Sequence, residues 1–135
     1  WFTGTDAQQT NLNIGYATGF IAKTPADTTG TAMFKIYYLS STATWEYANS
    51  SDETATKGLL GLALGMTGTT QGFLLDGWSR NTSTISVTNG SPLYLSGTTG
   101  GFASSAPASG FVRIIGWMVE NNIIYFRPDC TWIEL

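Results

Sequence analysis

Two apolar runs near the end of the chain, VRIIGWMV (112–119) and IIYFR (123–127), are separated only by Glu120, Asn121 and Asn122. No other stretch restricts the fold as much. The runs are rich in β-branched and aromatic residues, which suit a pleated surface. Asparagine tolerates the positive φ that a tight hairpin turn demands. The spacing therefore predicts a β-hairpin. Successive strand residues face opposite ways, so Ile114 and Ile115 must point to different sides, as must Trp117 and Met118. Both faces of the hairpin are apolar, and each needs a cover.

The hairpin's first strand belongs to a pattern that the chain states twice. YYLS (37–40) is followed by small polar residues and then GLLGLALG (58–65); LYLS (93–96) is followed by small polar residues and then RIIGWMVE (113–120). Tyr38-Leu39-Ser40 aligns with Tyr94-Leu95-Ser96, and Gly61 with Gly116 one residue out of step. The unit reads as an extended strand, a small-polar turn, and a buried strand with a central glycine, which marks a bulge or a close backbone approach. KGLLGLALGM (57–66) has helix-loving leucines. Gly58, Gly61 and Gly65 would each cost a helix about 1 kcal/mol, so a strand is expected there too.

Further strands are expected over 12–22, 32–39, 44–48, 72–78, 84–88 and 93–96, with a closing strand in TWIEL (131–135) after a turn at RPDC (127–130). Short strands at this spacing point to antiparallel sandwiches and barrels. The expected fold is all-β: a small antiparallel β-barrel or sandwich with two pseudo-repeated halves, forming one domain over 1–135. Residues 1–29 supply an N-terminal extension and first strands, 30–66 the first half and 90–135 the second. The chain opens on Trp1-Phe2-Thr3, with neither an initiator Met nor a signal peptide, and is expected to be the ordered part of something longer.

With 135 residues, 42% of them hydrophobic, the chain can bury a real core without a disulfide. Only 11% of residues are charged, against about 25% in an average soluble domain. Its polar surface must come from Ser, Thr, Asn and Gly, as is common outside the cell or on a virus particle. The net charge is −3 and the six basic residues are scattered, so no stripe exists to neutralise a phosphate backbone, and nucleic acid is not an expected partner. No apolar run approaches the roughly 18–20 residues that a membrane helix needs, and membrane insertion is not expected. The lone Cys130 is expected to be a half-buried small side chain.

Chemistry is sparse. The chain has no His, which removes Ser-His-Asp and Cys-His arrangements and the commonest metal ligand. Of nine carboxylates only Asp52 and Glu53 are adjacent, in a loop where a solvated turn is expected; opposed acids across a cleft are what hydrolysis would require. No catalytic residue, metal site or cofactor is expected, and the sequons at Asn49, Asn81 and Asn89 are expected by chance in so Ser/Thr-rich a chain. Aromatics remain. Trp45 and Tyr47 share one face of a strand, and Trp78 stands near Arg80. Together these three form the candidate glycan-binding set, weighed against packing as their ordinary use.

The segment GSPLYLSGTTGGFASSAPASGFVRIIGWMVENNIIYFRPDCTWIEL (90–135), with KIYYLSSTATWEYANSSDETATKGLLGLALG (35–65) upstream, resembles the C-terminal β-domain of structural proteins from tailed bacteriophages, marine and cyanobacterial ones especially. Parts of it are also similar to small head-decoration proteins. The resemblance implies a non-enzymatic virion component, in a tail or head fibre or a capsid decoration trimer on the particle surface. It also implies a homotrimer with other virion proteins as partners. An oligomer would cover the second apolar face, and the expected interface residues are Leu60, Leu62, Ile115, Trp117, Ile124 and Phe126. The alternative from another class is a carbohydrate-binding adhesin that takes a host-surface glycan.

Overall fold

In the computed structural model, residues 17–23, 31–66, 71–81 and 84–135 are described. The protein is almost entirely β. The strands are β1 (Ala17–Ala22), β2 (Ile36–Leu39), β3 (Trp45–Tyr47), β4 (Leu60–Ala63), β5 (Phe73–Arg80), β6 (Pro92–Leu95), β7 (Phe102–Ala103), β8 (Phe111–Val112), β9 (Ile114–Glu120), β10 (Ile123–Phe126) and β11 (Ile133–Glu134). One short helical turn, α1 (Glu53–Thr56), follows β3.

The repeat is visible in the pairing. The main sheet runs β3-β2-β4-β5-β10-β9-β6-β7, an order symmetric about the β5–β10 contact. In the first half, β2 lies between the short β3 and the glycine-bearing β4, with Tyr37 opposite Gly61. In the second, β6 lies between the short β7 and the glycine-bearing β9, with Leu93 opposite Gly116. The residues that aligned by sequence occupy equivalent positions in the ladders.

All pairings are antiparallel, and the sheet does not lie flat. β1 pairs with β5 from Ala17↔Ser79 to Ala22↔Phe73, with an irregular step at Phe20/Ile21. Since a strand has two edges, β4 (paired at Phe73 and Leu74) and β10 (paired at Gly77 to Arg80) follow one another along the edge of β5 that β1 leaves free. The halves are then tied at their far ends. Ser50 N donates to Ser96 O at 3.0 Å, Gly100 N to Ala48 O at 2.8 Å, and Ile36 N to Gly100 O at 2.9 Å. A curled, partly closed sheet results, lined by alternate residues of both halves: Ile36, Leu60, Leu62, Leu74, Leu93, Leu95, Ile115, Met118, Ile124 and Phe126 are all essentially inaccessible.

Gly116 allows that closure. At φ +156° it sits beside the irregular steps of β9, and a Cβ there would stand 2.1 Å from the backbone oxygen of Tyr125. The hairpin turn forms where the sequence places it, with Asn121 at φ +48°. Arg113, 5% exposed, ties the halves from another side. Its guanidinium donates to the carbonyls of Thr56, the last residue of α1, of Gly58 just beyond it, and of Asp129, and Trp132 covers it with its ring centroid 5.7 Å away.

Several local expectations differ from the structure. Residues 84–88 form no strand; Ile85 N donates to Asn121 O, and Ile85 and Val87 pack on the core as irregular chain. The expected strand over 112–119 is split at Arg113, whose buried side chain leaves the ladder to serve α1. In the closing segment only Ile133 and Glu134 pair, with Val112 and Phe111. Cys130 is exposed rather than half-buried, because the turn carrying it stands outside the core. The 12–16 part of the first expected strand lies outside the described residues.

Candidate functional site

The outer face of the first half carries its own aromatic cluster. Alternation along β2 sends Ile36 inward and Tyr37 outward; on β5 it sends Leu74 inward and Phe73 outward. Trp45 from β3 stacks on Phe73 with ring centroids 4.2 Å apart, and Tyr37 meets Phe73 edge-on at 5.4 Å. Gly61 makes the seat, since a Cβ there would lie 2.9 Å from that of Phe73 and 3.0 Å from the Trp45 ring. Trp45, 5% exposed, is therefore a packing residue. Tyr47 stacks on Tyr37 at 4.5 Å but keeps 39% of its surface open.

Along edge strand β3 this cluster forms one wall of an open cleft of about 670 Å³. Tyr37, Trp45 and Tyr47 contribute aromatic surface, and Tyr38, Glu46, Asn49, Asp52 and Thr54 contribute polar groups. Tyr38 donates its hydroxyl to Glu46 Oε2 at 3.0 Å, and Thr44 Oγ1 donates to Glu46 Oε1 at 3.4 Å. Asp52 caps α1 by accepting from Ala55 N at 2.9 Å. Asn49 Oδ1 accepts from Ser51 N at 2.8 Å, which orients its amide. Burial, and then the hydrogen bond with Tyr47, push the Tyr37 phenol well above its ordinary range. Tyr38 is raised by burial and by the neighbouring Glu46 carboxylate. Among the described residues no lysine or arginine lines the cleft.

Trp78 is not part of this cleft. It faces outward from the far half of β5 in register with Tyr125 of β10, which is in register with Trp117 of β9. The ring centroids are 5.5 Å and 6.3 Å apart, so three aromatics cross three adjacent strands on the outer face. Trp117 is 37% exposed and the other two are half-buried. The expected glycan set of Trp45, Tyr47 and Trp78 is thus divided: one in a small core, one on a cleft, one in a separate row. Tyr125 was missed, because only the register of β10 against β5 reveals it.

The expected interface set needs a larger correction. Leu60, Leu62, Ile115, Ile124 and Phe126 are 0–1% exposed within a single chain. Their strands point them into the enclosed core, so they cannot meet a neighbour. Of the six, only Trp117 reaches the outer face. Asp52 and Glu53 are engaged locally, Asp52 as the helix cap and Glu53 with Lys57 Nζ at 2.8 Å. Among the described residues no three His, Cys, Asp or Glu side chains are grouped to hold a metal ion, and no helix is long and apolar enough to cross a membrane. No protein-family model matches the chain, and searches of curated proteins and of solved structures find no match.

Proposed function

We propose that the chain is a non-enzymatic structural β-domain displayed on the surface of a phage-like virion, in a tail or head fibre or a capsid decoration complex, and that it works as a homotrimer among other virion proteins. The observation that carries this reading is the Trp78–Tyr125–Trp117 row. Its strands are paired on both sides, and the three rings stay partly exposed side by side on the outer face. Contiguous apolar surface of this kind marks contact sites, and copies related by symmetry cover such a patch with their own surface. The motif resemblance of 35–65 and 90–135 supports the setting on a particle.

Sedimentation of the purified chain at micromolar concentration tests the assembly, with Trp117→Ser and Tyr125→Ser as perturbations. A trimer that dissociates in either variant without loss of fold is the expected result. A monomer at every accessible concentration would remove the assembly reading. The position of this chain's density on an intact particle, or its absence there, decides the rest.

A further inference from the structure

We propose that the cleft beside β3 is a binding site for an uncharged or amino-bearing glycan, with the Tyr47 ring as its stacking face and Glu46, Asp52 and Asn49 as partners for sugar hydroxyls. The site is independent of where the chain resides. Ligand pockets combine apolar or aromatic walls with a few placed polar groups, and this cleft has that composition in a preorganised form. Tyr47 is backed by Tyr37, Tyr37 by Phe73, and Phe73 by Trp45. Its ring thus loses little freedom when a ligand arrives, which is where binding energy is commonly lost.

The polar wall is fixed in the same way. Glu46 is held by Tyr38 and Thr44, and Asp52 by the first turn of α1. Asn49 is oriented by Ser51 N, and its side-chain NH2 has no partner among the described residues. Trp45 also lines the cleft, and its buried indole N–H has no hydrogen-bond partner among the described residues, an arrangement uncommon in finished cores. Charge narrows the ligand class. Among the described residues two carboxylates line the cleft with no facing cation, so a sialylated, uronic or sulfated sugar would meet like charge, whereas hydroxyls or an ammonium would meet acceptors.

The full chain is titrated by calorimetry and saturation-transfer NMR with three sets of soluble probes: neutral gluco- and manno-oligosaccharides, chitosan oligosaccharides, and the acidic pair sialyllactose and alginate oligomers. The expected result is binding of a neutral or amino-bearing probe, weakened about tenfold or more by Tyr47→Ala and by Glu46→Gln, a loss of about 1.4 kcal/mol or more. Both variants should remain folded, with Tyr47→Ala melting a few degrees lower because it loses the stack on Tyr37, so binding is compared at a temperature where each is native. Trp117→Ser, on the separate row, should leave binding unchanged. Binding of the acidic probes alone, binding indifferent to Tyr47 and Glu46, binding lost in Trp117→Ser instead, or no binding of any probe at millimolar concentration would each overturn the proposal.

Discussion

Replacing Arg113 by methionine keeps most of the side chain's length and removes its fork of donors. Three carbonyls lose their partner: those of Thr56, Gly58 and Asp129. They do not lose equally. Gly58 and Asp129 are exposed and can take water instead, whereas Thr56 is fully enclosed. A buried acceptor left unpaired costs about 1–3 kcal/mol, and the two rehydrated ones about 0.5 kcal/mol each. Loss of the ring contact with Trp132 adds about 0.5 kcal/mol. Removing a cation whose pKa is lowered by burial, although Cys130 and Asp129 partly restore it, returns some of that. The net expectation is a loss of about 2–3 kcal/mol, or about 8–12 °C in Tm for a chain of this size. Arg113→Lys keeps the charge but reaches one carbonyl at a time, and should lose about 1–2 kcal/mol. Urea unfolding followed by tryptophan fluorescence measures both, with an unchanged slope against denaturant expected. If the methionine variant matched the parent within about 0.5 kcal/mol, or the lysine variant fell below it, the guanidinium would not be what holds α1 to the second half.

Gly116→Ala should lose about 2–4 kcal/mol, because its Cβ would enter the Tyr125 carbonyl. Gly90→Ala, at φ +82° with nothing within 4 Å, should lose only about 1 kcal/mol; equal losses in urea unfolding would discount the close approach. Asp52→Ala should cost about 1 kcal/mol through the lost cap while Asp52→Asn restores most of it, compared by thermal melts. Tyr37 and Tyr38 have phenol pKa values raised above the ordinary 10.0, so the neutral form is favoured by folding. Their stabilising contribution is complete below pH 10 and is lost as pH climbs through the raised values. Stability should therefore fall only above about pH 10, with Tyr37 ionising late in a phenolate absorbance titration; Tyr37→Phe should flatten that fall, and a loss already present between pH 7 and 9 would contradict it.

The strands and their repeat could be read from local sequence because local chemistry fixes them. β-branched and aromatic runs, a two-asparagine turn and glycine-punctuated leucines each prefer one backbone shape, and the same order of signals occurs twice. The alignment of Tyr37 with Leu93 and of Gly61 with Gly116 carries directly into the ladders. Alternation put Trp117 and Met118 on opposite sides of the terminal hairpin, as found, but it also groups Ile115 with Trp117; the irregular steps of β9 break that parity and bring Ile115 to the core side with Met118. Parity does not say which side is enclosed. That depends on how the sheet curls, and five residues assigned to a subunit contact belong to the core for that reason.

The candidate site depends still more on long-range pairing. Trp45 and Tyr47 share a strand face by sequence, yet a glycine on β4 and a phenylalanine on β5 make one a packing residue and leave the other open. Trp78 looks like their companion until the register of β5 against β10 places it with Tyr125 and Trp117. Arg113 reads as an ordinary strand residue, and only the end of α1, brought across from the other half, supplies its partners. Sequence by itself determined most of the strands, the turn and the duplication, since those follow from each segment's own torsional and periodic preferences; it missed α1 and the irregular course of 84–88. Tertiary structure alone decided inside from outside, cleft from core and which aromatics stand together, because those are set by contacts between segments far apart in the chain, whose geometry no single segment contains.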